Sequence, residues 1–305
     1  MSRKVFGSWG REFSKYETSK VVLLPVPYNG TSTWIKGADF GPNAIIEASK
    51  NFELYDIETK SLPYKARIHT LDELQVEDLS PEKMTELVKL HVRNHLRKGK
   101  LVGLLGGEHS VSIGSIEAHA EKYPGIGFLQ LDAHADTREE YHYSKYNHAC
   151  VMARARELRE IVQIGIRSMC YSEKKGKKRD LTRIFFAKDI HDNDSWMDKA
   201  ISILPENFYL TVDLDVFDPS IMPSTGTPEP GGLGWYQTLK FLKKAITEKN
   251  MVGFDVVELC PNPHNKAPDM LAAQLIYKII AYKYRKRDTS GTNLNDLSSD
   301  LSIHM

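Results

Sequence analysis

Ile126-Gly127-Phe128-Leu129-Gln130-Leu131 runs directly into Asp132-Ala133-His134-Ala135-Asp136. A short apolar run of this length, rich in β-branched and aromatic residues, reads as a buried strand. Here the strand ends in three groups that carry charge or can bind a metal. The arrangement recurs along the chain. Leu101–Leu105 leads into Gly106-Gly107-Glu108-His109-Ser110, Phe208–Val212 into Asp213-Leu214-Asp215, and Val252–Val257 into Glu258. Further apolar runs occupy Val21–Val26, Ile161–Ile166 and Ile184–Ala187, with a weaker one at Arg67–Leu71. Between them lie segments of helical spacing, at Pro42–Asn51, Pro81–Arg97, Trp235–Thr247 and Ala267–Tyr284. Pro81 suits a first helical turn, where its missing N–H costs nothing. Strand, helix, strand, helix predicts an α/β fold with a parallel sheet of about eight strands, covered by helices on both faces. In such sheets ligands bind beyond the carboxyl ends of the strands. All four acidic or imidazole-bearing ends therefore arrive at one edge.

The whole-chain numbers fit that reading. The chain has 305 residues, 41% of them hydrophobic, and a net charge of +1. This composition excludes disorder and low complexity for the bulk of the chain. The balanced charge argues against nucleic acid as the partner and offers a membrane surface nothing to attract. No stretch has the roughly 18 apolar residues of a membrane span, and the first residues lack a signal-peptide core. The expected compartment is the cytoplasm. Three cysteines, Cys150, Cys170 and Cys260, show no metal-thiolate spacing and make no disulfide framework. No linker divides the pattern, so residues 1–284 are expected to form one domain. The charge run at 172–180 reads as a solvated loop, and the polar segment 285–305 as a mobile tail.

Spacing sharpens the chemistry. Alternate residues of an extended chain share one side, which groups Asp132, His134 and Asp136, and likewise Asp213 with Asp215. With His109 the set holds four carboxylates and two imidazoles. Four carboxylates gathered at one place would repel, and some would have to take up protons. Two divalent cations remove that conflict. Carboxylate plus imidazole suits Mn²⁺, Zn²⁺, Fe²⁺ or Ni²⁺, and the oxygen-rich balance favours Mn²⁺. Metal binding makes hydroxide available from water at neutral pH, so the set points to a metal-assisted hydrolase. An ion-pair network is the competing account of such a cluster, and a lone Asp-x-Asp would read as a cap or turn.

The set as a whole resembles the arginase/agmatinase ureohydrolases. The resemblance rests on Gly106-Gly107-Glu108-His109-Ser110, Asp132-Ala-His-Ala-Asp136 and Asp213-Leu-Asp215-Val-Phe-Asp218-Pro219. It extends to the Gly226-Thr-Pro-Glu-Pro-Gly-Gly232 loop and to the segments Pro27–Thr31 and Gly37–Pro42. It runs in order from about Val21 to Tyr284. Glu108 stands where Asp is commoner. The resemblance implies a three-layer α/β/α sandwich, an eight-stranded parallel sheet and a binuclear manganese centre. It assigns one ion to His109, Asp132, Asp136 and Asp213, and the other to His134, Asp132, Asp213 and Asp215. Nickel is an alternative metal. It implies a homotrimer or homohexamer and a small guanidino substrate, in polyamine biosynthesis. Glu258 would hold the guanidinium through paired hydrogen bonds. Asp136 would accept a hydrogen bond from the nucleophile, His148 would protonate the leaving amine, and Thr227 would contact substrate. The bland alternatives are that Glu258 caps the turn before Pro261 and that His148 caps the helix entering Val151–Leu158.

The same resemblance separates substrates. Arginases carry groups for an α-carboxylate and an α-ammonium. Here Arg138 replaces an expected Asn, Ser144-Lys-Tyr-Asn-His148 retains only the Ser, and Ser168, Met169 and Cys170 supply no acid. The expected reaction is therefore agmatine plus water to putrescine plus urea. Arg138 would repel the distal ammonium of agmatine unless Glu139 or Glu140 pairs with it. It would welcome guanidinobutyrate, the nearest rival, ahead of arginine or guanidine. A noncatalytic metal-stabilised subunit and a dinuclear phosphoesterase are the readings from other classes. The complete ligand set opposes the first, and Glu258, which favours a cation, opposes the second.

Overall fold

Val21–Val26 (β1) is buried along its whole length, and its residues divide by parity. Val21 and Leu23 join one apolar cluster, while Val22, Leu24 and Val26 join another. A strand buried on both sides needs cover on both. The computed structural model describes residues 4–174 and 182–285 and supplies that cover. Seven further strands follow: β2 (Ile68–Thr70), β3 (Leu101–Gly106), β4 (Gly127–Leu131), β5 (Ile161–Ile166), β6 (Thr182–Phe186), β7 (Asn207–Asp213) and β8 (Asn250–Val257). They form one eight-stranded sheet in the order β2-β1-β3-β8-β7-β4-β5-β6, with every pairing parallel among the described residues. The expected weak strand at Arg67–Leu71 is a three-residue edge strand.

The α-helices are α1 (Gly41–Ala48), α2 (Pro81–Arg97), α3 (Ser112–Lys122), α4 (Val151–Leu158), α5 (Tyr171–Lys174), α6 (Ala187–Ile190), α7 (Trp196–Ile203), α8 (Trp235–Glu248) and α9 (Ala267–Tyr284). On one face Ile45 and Ile46 of α1, Met197 of α7, Leu239 of α8 and Leu275 of α9 pack with Leu129, Phe208 and Phe254 of the sheet. On the other, Met84 and Val88 of α2 and Ala118 of α3 pack with Val22 and Leu24. Ile113 of α3 and Met152 of α4 pack there with Phe128 and Tyr209. The result is the expected three-layer α/β/α sandwich. Ser80 caps α2, accepting from the Lys83 N–H at 3.4 Å, and Pro81 takes the first turn.

The expected solvated loop at 172–180 begins differently, because Ser172–Lys174 belong to α5. The rest of that expectation, and the tail beyond Arg285, lie outside the described residues. No helix among the described residues is long and apolar enough to cross a membrane.

Candidate metal centre

The four strands whose ends bear acid or imidazole, β3, β8, β7 and β4, are consecutive in the sheet. The chain leaves β3 for β4 by passing over β7 and β8, so these ends flank a topological switch point, where parallel sheets form ligand crevices. His109 follows β3 in a short 3₁₀ turn capped by the buried Glu108, whose carboxylate accepts from the Ser110 N–H at 2.8 Å. Asp213 is the last residue of β7. Its carboxylate accepts from the Asp215 N–H at 2.9 Å and draws the chain into a 3₁₀ turn. That corrects the expectation of extended chain here: an Asx turn, not strand alternation, brings the two acids together. Asp136 likewise leaves the extended form. It has φ 50°, a left-handed conformation costly for a residue with a Cβ. Its carbonyl accepts from the Met152 and Ala153 N–H groups at 2.9 and 3.2 Å, at the start of α4. The other acid held at positive φ beside the cluster is Glu258, at 68°.

The side chains converge. His109 Nδ1 lies 3.2 Å from Asp132, 3.0 Å from Asp136 and 3.3 Å from Asp213. It is fully buried, yet none of these contacts has hydrogen-bond geometry. His134 Nδ1 lies 2.8 Å from Asp215 and 3.7 Å from Asp132. Two groups of donor atoms result, His109 with Asp132 and Asp213, and Asp132 with His134 and Asp215, each within 4.8 Å. Asp132 belongs to both. Asp136 adjoins the first group through His109.

Electrostatics show what this cluster lacks. Burial, then the charge of Asp132, raises the Asp136 carboxyl to about 7. Burial and the charges of Asp215 and Asp132 push Asp213 well above the carboxylate range. Burial opposes a charge on His109, but the three carboxylates around it win and raise its pKa well above normal. Left to itself, the cluster must bind protons to exist. A buried imidazole nitrogen without a partner, aimed at three carboxylate oxygens, is what a divalent cation would satisfy. The donor set of oxygen and imidazole without thiolate fits Mn²⁺ or its first-row neighbours.

A cavity of 340 Å³ opens onto the cluster and is lined by His109, His134, Asp136, Asp213, Glu258, His148, Thr227 and Arg138 among others. All the substrate-facing residues expected from the sequence therefore border one space. Glu258 does not act as a simple cap. Its carboxylate accepts from the His109 N–H at 2.8 Å, and burial, then the charge of Glu108, raises it to about 8. His148 is not a side-chain cap either, because Asn147 plays that part by accepting from the Ala149 N–H at 3.1 Å. His148 Nδ1 sits 3.2 Å from the Thr31 hydroxyl, and burial, then the charge of His109, lowers its pKa to about 4.

Two points depart from the sequence reading. Glu139 is not the partner of Arg138. It is held by Arg156 at 2.6 Å and Arg154 at 3.1 Å, and no described ion pair joins Arg138 to Glu140. Arg138 instead lies 4.3 Å above the Tyr141 ring. An acid does border the cavity beyond Cys170, namely Glu173. Its Oε1 accepts from the Thr137 N–H at 2.8 Å and the Thr137 hydroxyl at 3.0 Å, and its Oε2 from the Cys170 N–H at 2.6 Å. Beneath the site, Gln130 Nε2 donates to Asp132 at 2.6 Å, and Gln163 in turn holds Gln130. Both amides stand inside apolar strands, and that signal was present in the sequence.

Comparison with known proteins agrees with this geometry. The Arginase family profile matches residues 19–281. The N(1)-aminopropylagmatine ureohydrolase of Synechocystis sp. is 36% identical over 278 residues, covering 88% of this chain and 90% of that protein. The agmatinase of Pyrococcus horikoshii is 32% identical over 271 residues, covering 87% and 92%. The crystal structure of agmatine ureohydrolase of Thermoplasma volcanium superposes with a TM-score of 0.84 at 30% identity, covering 93% of this chain and 96% of that one. A family match over residues 19–281, which span the whole sheet and the acid–imidazole cluster at its edge, carries one conclusion: this chain belongs to the arginase family and is a ureohydrolase of guanidino compounds, in a family that works with two metal ions.

Proposed function

We propose that this protein hydrolyses a linear guanidino compound ending in an amine, with agmatine plus water giving putrescine plus urea. The observation that carries the reading is Glu258, a buried carboxylate bordering the same cavity as the acid–imidazole cluster. His109 N–H occupies one side of Glu258, and its remaining lone pairs are available to a planar cation. The proposed metal ligands are His109, Asp132, His134, Asp136, Asp213 and Asp215. Two Mn²⁺ ions there would neutralise the carboxylates and make hydroxide available from water near neutral pH. The chain's own groups do the rest. Glu258 fixes the guanidinium carbon against the cluster, and Asp136 accepts a hydrogen bond from the attacking oxygen. His148, held by Thr31, passes a proton to the departing amine, and Thr227 contacts the substrate.

A second reading, N1-aminopropylagmatine plus water to spermidine plus urea, is favoured by two observations. Relatives at 36–37% identity bear that name. Glu173 also puts a carboxylate on the cavity wall, where a further ammonium could lie. Arg138, stacked on Tyr141, is the group that would select between an amine and a carboxylate tail. Assembly as a homotrimer or homohexamer is proposed alongside.

The test is urea release by the Mn²⁺-loaded protein from agmatine, N1-aminopropylagmatine, guanidinobutyrate, arginine and guanidine. Activity on the two amines is expected, with little on guanidinobutyrate. Urea from arginine alone would overturn the substrate assignment. No urea from any of them, with two ions bound, would favour a noncatalytic subunit.

A further inference from the structure

Behind His109, on the face of the sheet covered by α3, a line of buried polar groups leads away from the proposed metal centre. His109 Nε2 lies 2.9 Å from the Thr211 hydroxyl on β7. The Thr211 hydroxyl lies 2.6 Å from Asp255 Oδ1 on β8, and the Tyr209 hydroxyl lies 2.7 Å from Asp255 Oδ2. Thr211 and Asp255 are directly opposite in the pairing of β7 with β8, and both are fully buried. Thr211, Tyr209 and Asp255 do not line the cavity, and no reaction step uses them.

Proton counting fixes the direction of the line. A threonine hydroxyl has one proton to give. Asp255, as a carboxylate, only accepts, and it takes the Thr211 proton. Each Asp255 oxygen faces a hydroxyl within hydrogen-bond distance, Thr211 at 2.6 Å and Tyr209 at 2.7 Å, the arrangement of a carboxylate that accepts on both sides. The Thr211 oxygen must then accept from His109, so Nε2 carries the imidazole proton. In a neutral ring the other nitrogen, Nδ1, is left with its lone pair. That nitrogen is the one aimed without a partner at Asp132, Asp136 and Asp213.

We propose that Thr211 and Asp255 are positioning residues for the metal centre: they lock His109 in the tautomer and ring orientation that offer Nδ1 to one of the two ions. The proposal rests on the assignment of His109 as a ligand. Partners of this kind on a ligand histidine typically change metal affinity by about 10–100-fold. Among the described residues His134 has no equivalent. Its Nε2 faces the partly exposed Glu229 at 3.7 Å, beyond hydrogen-bond reach. The effect is therefore confined to the ion that His109 holds.

The experiment titrates Mn²⁺ into metal-free protein in competition with a chromophoric chelator, and so reads the affinity of each ion without reference to turnover. Thr211→Val, nearly isosteric, is expected to weaken one ion about 10–100-fold and leave the other unchanged. Thr211→Ser, which keeps the hydroxyl, is expected to restore most of that loss. Asp255→Asn can still accept from Thr211 through its amide oxygen, so a smaller loss at the same ion is expected. Unchanged affinities in Thr211→Val, or failure of Thr211→Ser to rescue, would overturn the proposal, since a packing role would respond to volume and not to the hydroxyl. His109→Ala separates the two assignments. Loss of one ion in that variant upholds His109 as a ligand whatever Thr211→Val does. Retention of both ions would remove the ligand, and the proposal with it.

Discussion

His148 joins two requirements in one side chain. Burial and the charge of His109 lower its pKa to about 4, so near neutral pH it rests uncharged and able to relay a proton. It belongs to neither group of converging donor atoms. His148→Ala is therefore expected to keep both ions and to lose about 10²–10⁴-fold in turnover, as general acid catalysts do. Metal analysis and urea release measure the two halves, and unchanged turnover would take His148 out of the reaction. His119 shows how a similar shift acts on stability alone. It is fully buried on α3, its Nδ1 lies 2.7 Å from the Ser115 carbonyl, and burial lowers its pKa to about 4 from 6.5. Between those values the unfolded chain holds a proton that the folded chain does not. Stability thus falls as pH drops through that window, by at most ~1.4 kcal/mol per pH unit for this one group. In chelator, denaturant midpoints for wild type should fall more steeply from pH 6.5 to 4.5 than those for His119→Asn. Equal slopes would contradict the assignment.

Elements were legible in the sequence where one signal dominated. β1, β5, α2 and α9 fall on their expected bounds because apolar residues dominate their runs or helical faces. α3 was not singled out, and its composition explains why. Ser112, Gly114 and Ser115 read as loop, yet they let α3 approach α2 closely: a Cβ on Gly114 would lie 2.4 Å from the Thr85 carbonyl oxygen. The acid and imidazole groups at the strand ends were legible from their chemistry and their place after apolar runs, whereas the turns that bring Asp136, Asp213 and Asp215 inward were not. The pairing of Glu139 with Arg154 and Arg156 was not, since it depends on how α4 returns to the loop after β4. Arg167, at the end of β5, is another contact that only the fold creates. Its guanidinium donates to the carbonyls of Asp215 at 2.6 Å and Glu229 at 2.9 Å, tying the turn after β7 to the Gly-rich loop. A lysine cannot span these acceptors. Arg167→Lys is expected to cost about 1–3 kcal/mol and to speed hydrogen exchange across 214–233. Exchange no faster there than elsewhere would refute the tie.

At the scale of the whole molecule, the acids gathered at one edge make the fold depend on what neutralises them. The net charge of +1 conceals this, because it counts four buried carboxylates as though they were dispersed. Two ions, each at about 100 times its Kd, would stabilise the folded state by about 5 kcal/mol together. In a chain of this length that is on the order of 10 °C in Tm. Without metal, protons take over part of the task. Asp136, raised to about 7, holds a proton in the folded protein that the unfolded chain loses above 3.8. Its contribution to the metal-free form is present below 3.8 and fades as pH rises through about 7. Metal binding runs the other way, since the ligands must be deprotonated to coordinate. The gap in Tm between Mn²⁺-loaded and chelator-treated protein should therefore widen from pH 5.5 to 8. Scanning calorimetry at fixed free Mn²⁺ measures it directly. A gap that is constant or narrows with pH would mean that the cluster is an ordinary ion-pair network, neutralised by its own histidines and indifferent to metal.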